Sequence, residues 1–348
     1  MSRLFPLRDP LPWLIITAIV ALALGTVVPT LVIDRIQQLP RNHTVQVVSR
    51  ADGALIYNRE QPGPARIERL TATAPGFKDS LVDISSVTNV FANTRQWAHI
   101  QEFTVRNRES AYQVTCTTAE VEVKFGQPST GMRNNSNTRE GLQYFFPADT
   151  EKRSYPYLDP FMQSARPIDY LKESSRGTLD TFIYQHTIAP VKLADALRNS
   201  PTQLSGPALA AAETVLTGPA QDFYTASERD RFKLGATTRV VLEPYYSVER
   251  EVEVEPITGT VMNVRDNVSL LYATDAQQAA YAPAVGGQRA ILVGDFEWDA
   301  PSQATVEAQV KTIVKRYQAM QVLSWCGKAI AVACALAATG LFLRRRSA

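Results

Sequence analysis

Long apolar runs lie near both ends of this 348-residue chain, and apolar residues alternate with polar ones in between. From Leu11 to Ile33 no Asp, Glu, Lys or Arg interrupts the run, which is long enough to cross the roughly 30 Å hydrocarbon layer as a helix. Trp13 stands at its entrance, as suits an amphipathic ring at the headgroup level. A small-residue motif, Ala21-Leu22-Ala23, raises a cleaved signal peptide as the rival, but the apolar run continues for ten residues beyond it, so a retained anchor is expected. From Leu323 to Leu343 the only charge is Lys328, and Arg344-Arg345-Arg346 follows at once. That arrangement predicts a second span ending in a cytoplasmic stop.

Between the spans the period changes. Val45, Val47, Leu55 and Tyr57 alternate around Asp52-Gly53, a dipeptide suited to a hairpin turn. Further strands are expected over Trp97–Val105 and Tyr112–Phe125, whereas Gly126–Gly141 has the Pro, Ser, Thr, Asn and Gly content of an exposed loop. Three helices are predicted, over Pro190–Arg198, Pro207–Leu216 and Asp222–Lys233. Tyr246–Val254 alternates again, with Val248, Val252 and Val254 set against Arg250, Glu251, Glu253 and Glu255. Pro256-Ile257-Thr258-Gly259 supplies a turn, after which Val261–Tyr272 returns and Ala290–Trp298 forms a last strand. Past Pro301, Val306, Val310, Ile313, Val314, Tyr317 and Met320 recur at helical spacing with no breaker before the second span. One long helix, packing its stripe on the domain, is predicted to run into the membrane.

The fold class that follows is α+β: a β-rich extracytoplasmic domain, barrel-like with an apolar cavity, between two transmembrane helices. Its organisation is a cytoplasmic tail (1–10), a transmembrane helix (11–33), an extracytoplasmic domain (34–316) whose last helix (301–322) leads into the membrane, a transmembrane helix (323–343) and a cytoplasmic tail (344–348). Arg3, Arg8 and the terminal arginine triplet set both ends on the cytoplasmic side of the plasma membrane.

Charge and cysteine content narrow the function classes. The chain carries 36 basic and 34 acidic residues. Setting aside six basic residues and one acidic residue in the tails and the second span leaves the exposed domain with a slight acidic excess of about three, so nucleic acid is not an expected partner. Only Cys116 lies in that domain, which excludes an internal disulfide there and makes Cys116 a buried small residue.

The stretch YFFPADTEKRSYPYLDP, Tyr144–Pro160, concentrates rings, charges and prolines. Tyr144 and Phe146 are expected on one strand, pairing with Tyr155 and Tyr157 across the turn. Asp149, Glu151 and Asp159 are the acids best placed for acid–base work or calcium, although their spacing fits no calcium loop. Asp149 reads as a turn residue bonding its own backbone. His43, His99 and His186 lie on segments that nothing in the sequence brings together, and each reads as an ordinary residue. Glu253 and Glu255 read as solvated acids on a strand face. No nucleophile elbow, phosphate loop or dinucleotide fingerprint is present. No catalytic residue, cofactor or metal ligand is therefore assigned, and Tyr144, Phe146, Tyr155, Tyr157 and Asp159 stand as candidates for the rim of a ligand cavity.

GLQYFFPADTEKRSYPYLD, followed by Pro167–Tyr170 and Thr181-Phe182-Ile183-Tyr184, resembles the signature of an actinobacterial envelope family catalogued as porin PorA. VEVEPITG, Val252–Gly259, is similar to that family's second block. The resemblance implies a part in maturation of lipomannan and lipoarabinomannan, with no catalytic residues to carry over. In plan, two terminal spans around a β-rich domain, the chain also resembles the scavenger receptor class B proteins. The leading expectation is a non-enzymatic protein binding a membrane lipid or lipid-linked glycan in envelope biogenesis. The alternatives are an oligomeric porin or channel, a scaffold for envelope glycosyltransferases, and a glycan-processing enzyme.

Overall fold

The computed structural model describes residues 10–56, 62–114, 119–125, 130–136, 140–201, 209, 212–281 and 289–347, with side chains outside 115–139. It comprises two compact units. One contains residues 1–38 and 309–348, the other residues 39–308.

The first unit holds α1 (Pro10–Ile36) and the membrane-length part of a 47-residue helix (Ala300–Arg346), both long and apolar enough to cross a membrane. The long helix is continuous from the sheet unit to the arginine triplet, as its breaker-free sequence predicts. The two helices meet where neither has a side chain. A Cβ on Gly25 would lie 2.8 Å from the Cα of Gly327, and one on Gly327 would lie 2.6 Å from the Cα of Gly25. Contact between small residues lets helix backbones approach closely in lipid, where no hydrophobic driving force distinguishes helix from solvent.

The second unit is built on thirteen strands: β1 (His43–Ile56), β2 (Gly63–Pro75), β3 (Leu81–Ala92), β4 (Arg95–Asn107), β5 (Ala119–Phe125), β6 (Thr130–Ser136), β7 (Tyr155–Asp159), β8 (Ser164–Arg176), β9 (Leu179–Lys192), β10 (Leu216–Pro219), β11 (Arg239–Glu255), β12 (Thr260–Ala273) and β13 (Ala290–Trp298). Their order is β6-β5-β4-β3-β2-β1-β13-β12-β11-β9-β8-β7, with β10 alongside β11. All the strand pairings are antiparallel. Short helices α2 (Leu193–Arg198), α3 (Ala226–Phe232) and α4 (Ala276–Ala280) join the strands, and the long helix is α5.

The sheet curls into a half-barrel, and its core lies inside the curl. Ala65, Val90 and Ala98 from β2, β3 and β4 share one apolar cluster with Ile188, Tyr246 and Val248 from β9 and β11. The turn residues Phe161 and Met162, with Leu193 and Ala196 of α2, fill the space between them. Elsewhere the concave face changes chemistry. On β2 and β3, Thr71, Ser86 and Thr88 alternate onto the face that holds Ile67 and Val90, and all three are buried.

Three local expectations are corrected. Asp52-Gly53 does not end a strand: β1 continues through it, and the register against β2 shifts between Ala51 and Ala54. The dipeptide is spent on a bulge, which bends and twists a long strand; Tyr57 lies outside the described residues. Part of the expected loop Gly126–Gly141 is instead strand β6, which pairs with β5 from Phe125↔Thr130 to Ala119↔Ser136. Polar composition marks a loop only weakly when backbone pairing supplies the order. The helix expected over Pro207–Leu216 does not run its length: among its described residues Leu209 and Ala212 are helical, Glu213 turns, and Leu216 opens β10. Cys116 lies outside the described residues.

Candidate functional site

The segment from Gly141 to Gln163 closes one side of the half-barrel and carries the five rim candidates. It is not a hairpin. Residues 140–154 are irregular, and the bridge between Leu142 and Tyr157 is parallel. The prolines and the charged turn prevent residues 144–146 from laddering, so Tyr144 and Phe146 diverge. The Tyr144 hydroxyl donates to Glu102 at 2.6 Å. Phe146 turns inward, 5.5 Å from the ring of Tyr155 and 4.9 Å from that of Tyr184. Tyr155 and Tyr157 are buried in β7, and the Tyr157 ring lies 5.6 Å from His186. Tyr144 alone of the four aromatic candidates is only half-buried.

The turn after β11 docks onto this segment. Phe146 N–H donates to the carbonyl of Gly259, Asp149 N–H to that of Ile257, and Thr150 N–H to that of Pro256. Gly259 has φ of 68°, and a Cβ there would meet the Phe146 carbonyl oxygen at 2.1 Å, so only glycine permits both the turn and the contact. Asp149 also takes positive φ, which Asp tolerates. The turn is capped from inside: Glu255 accepts from the N–H groups of Ile257 and Thr258, at 2.9 Å each, and from the Thr258 hydroxyl. Burial nevertheless pushes the Glu255 carboxyl up, against those hydrogen bonds. Glu253 is likewise buried, accepting from Thr181 and paired with Arg176. These two acids are structural groups and not the solvated pair expected.

Behind Tyr157 lies a buried polar cluster. Asp159 is fully enclosed. One carboxylate oxygen accepts from the N–H groups of Phe161 and Met162, and the other accepts from the Tyr246 hydroxyl at 2.8 Å. The second oxygen also lies 3.6 Å from Arg250 Nη1 and 3.9 Å from His186 Nε2, and neither of those two nitrogens has a hydrogen-bond partner. Arg250 Nε donates to Asp266 at 2.5 Å. His186 is held from its other side by the Pro167 carbonyl, 2.7 Å from Nδ1. Burial lowers the His186 pKa, with Arg250 acting in the same direction. It raises those of Tyr157 and Tyr246. For Arg250 burial opposes the charge, but Asp266 foremost keeps the guanidinium protonated.

This cluster is what reading the sequence missed. His186, Arg250 and Asp266 occupy one row across β9, β11 and β12. The signal was present in β11, where two-residue alternation places Arg250 on the inward face between Val248 and Val252. Its charge had assigned it to the outer face. Of the three acid candidates, Asp149 and Glu151 are exposed and only Asp159 enters the cluster. Among the described residues no three His, Cys, Asp or Glu side chains gather as a metal site would require. His43 and His99 lie apart from it, the latter bonded to Asn89.

The two sequence blocks are thus one structure: the second caps and clamps the first. The family profile described as Porin PorA matches residues 12–340. The chain belongs to the porin PorA family. Two relatives carry the name Porin PorA, one from Corynebacterium resistens, 31% identical over 161 residues, and one from Corynebacterium amycolatum, 26% identical over 220 residues. The matches cover 41% and 63% of this chain but only 39% and 54% of those relatives. Family and apolar helices together make this a membrane or envelope protein. The porin PorA family match takes in the whole half-barrel and most of both apolar helices.

Proposed function

We propose that the chain is a non-enzymatic two-pass envelope protein, both termini cytoplasmic and the sheet unit outside, which gives passage to solutes as an assembly of copies. The carrying observation is kinship: the family profile covers residues 12–340, and the relatives are named porins. Among the described residues a single copy supplies no bore. Its two helices touch through Gly25 and Gly327, and the curl of its sheet is occupied by side chains. A lumen would therefore lie between copies, with Lys328, the one charge of the second span, available to it. Purified full-length chain in a planar bilayer should produce stepwise conductance, with a changed ion selectivity in Lys328→Ala. Electrically silent bilayers that demonstrably contain the protein overturn the reading.

A second reading is supported by a separate observation. The buried hydroxyls of Thr71, Ser86, Thr88 and Thr104 occupy a concave face where aliphatic side chains would be the rule, and Thr104 Oγ1 has no hydrogen-bond partner. Such a surface suits a hydroxyl-bearing ligand, which favours a lipid or lipid-linked glycan handled during lipoglycan biogenesis, with Tyr144, whose hydroxyl donates to Glu102 opposite Ser86, next to it. Envelope glycosyltransferases would be the natural partners. Native mass spectrometry of the full chain extracted from envelope membranes tests it: a retained glycolipid is expected, and a consistently empty protein rejects it.

A further inference from the structure

Among the described residues of the sheet unit, the most exposed large apolar side chain is that of Phe77, at 65%. It stands at the tip of the β2–β3 hairpin beside Lys78, whose ammonium lies 5.7 Å from the ring centroid. The tip is well braced. Leu81 N–H donates to the Lys78 carbonyl, and Gly76 N–H to the Leu81 carbonyl. Arg41 and Arg108 both donate to the Asp79 carbonyl, at 2.5 and 3.3 Å. Arg108 Nε also donates to the Leu39 carbonyl at 2.9 Å, and the Arg108 carbonyl accepts from Leu39 N–H. The segments 39–41, 76–81 and 107–111 are therefore laced together, with Phe77 projecting from them.

Connectivity locates this end of the unit. Leu39 follows the last residue of α1, Ile36, by three positions, so their Cα atoms are at most about 11 Å apart. If α1 crosses a bilayer, the laced end leaves the membrane with it. An exposed ring with a lysine whose stem can carry its ammonium back to water suits the headgroup layer. Arg41 and Arg108 both reach Asp79, two residues along the chain from the ring. We propose that the Phe77–Lys78 tip inserts into the headgroup layer of the bilayer that holds α1, giving the sheet unit a point of attachment in addition to the two helices. The attachment is independent of whether the protein conducts or binds lipid.

A depth measurement on the full chain tests this. Cys116, Cys326 and Cys334 are replaced by serine, and a single cysteine carrying an environment-sensitive fluorophore is placed by Phe77→Cys, by Gly53→Cys or by Ile15→Cys. Gly53 lies on the same hairpin layer, ten residues along β1 from His43, or roughly 33 Å at the strand rise. Ile15 lies on the exposed face of α1. In nanodiscs, quenching by nitroxide-bearing phosphatidylcholine should be several-fold stronger at position 77 than at position 53 and should approach that at position 15, with the order reversed for a water-soluble nickel chelate. Equal lipid quenching at 77 and 53, or stronger nickel quenching at 77, overturns the proposal. Absence of lipid quenching at position 15 removes the bilayer from α1 and the proposal with it.

Discussion

Asp159 terminates three hydrogen bonds and faces two further nitrogens, all out of contact with water. In Asp159→Ala the Tyr246 hydroxyl and two backbone N–H groups lose their acceptor, and Arg250 keeps only Asp266. Breaking one partner out of a buried charged cluster destabilises by about 3–5 kcal/mol, which chemical denaturation of the full chain should register. His186 makes stability depend on pH. In the unfolded chain it titrates near 6.5, whereas burial holds it neutral to lower pH in the fold. The unfolded state therefore binds more protons below that value, so this contribution is present above pH 6.5 and is lost as the pH falls. His43 shifts the same way, so a variant is needed to isolate the effect. The decrease in melting temperature on acidification should be smaller in His186→Gln than in the parent. None of these partners lies near Asp159 in the chain, apart from the two N–H groups of its own turn. A tightly packed row of opposite charges is invisible to local pattern because each member looks locally like a misplaced surface residue.

At the scale of elements, what local sequence decides was legible. The β11–turn–β12 unit appears with its turn at Pro256–Gly259, β13 has the expected limits, and α5 is one helix. Each rests on a short-range cause: two-residue alternation, a proline with a positive-φ glycine, or the absence of a breaker. The errors arose where neighbours override local preference. Asp-Gly is compatible with a hairpin or with a bulge, and β2 and β13 flanking β1 on both sides select the bulge. The packing of α1 on α5 carries its own prediction. Leucine at position 327 would force the two backbones apart at their closest approach, whereas position 340 faces open space. Gly327→Leu should lower the stability of the full chain in detergent by about 1–3 kcal/mol, the range for overpacking, with Gly340→Leu near neutral. A comparison of thermal unfolding in the same micelle decides it.

For the whole molecule, the sheet unit has what it needs to stand alone. Its core lies inside the curl, its strands form one sheet, and β1 pairs with β13 to join the N-terminal meander to the C-terminal one. Residues 39–308 expressed without the helices should be folded and soluble, with a cooperative melt and a dispersed amide spectrum; an aggregated or molten product contradicts this. By itself the sequence determined the two membrane-length helices, the strand-rich character of the unit between them, the turn that caps β11 and the two blocks that mark the family. Only tertiary structure decided how the sheet closes on itself. Ser49 pairs with Trp298 across most of the chain, and that pairing starts the order β1-β13-β12-β11-β9 that sets His186, Arg250 and Asp266 side by side opposite Asp159. Alternation along a strand tells which side chains share a face, because the backbone repeats every two residues. Which strands become neighbours depends on contacts hundreds of residues apart, and no local period records them. The polar stretch Tyr144–Pro160 therefore looked like a site with its own charges. In the fold its rings pack as wall, and its last acid completes a cluster assembled from three distant strands.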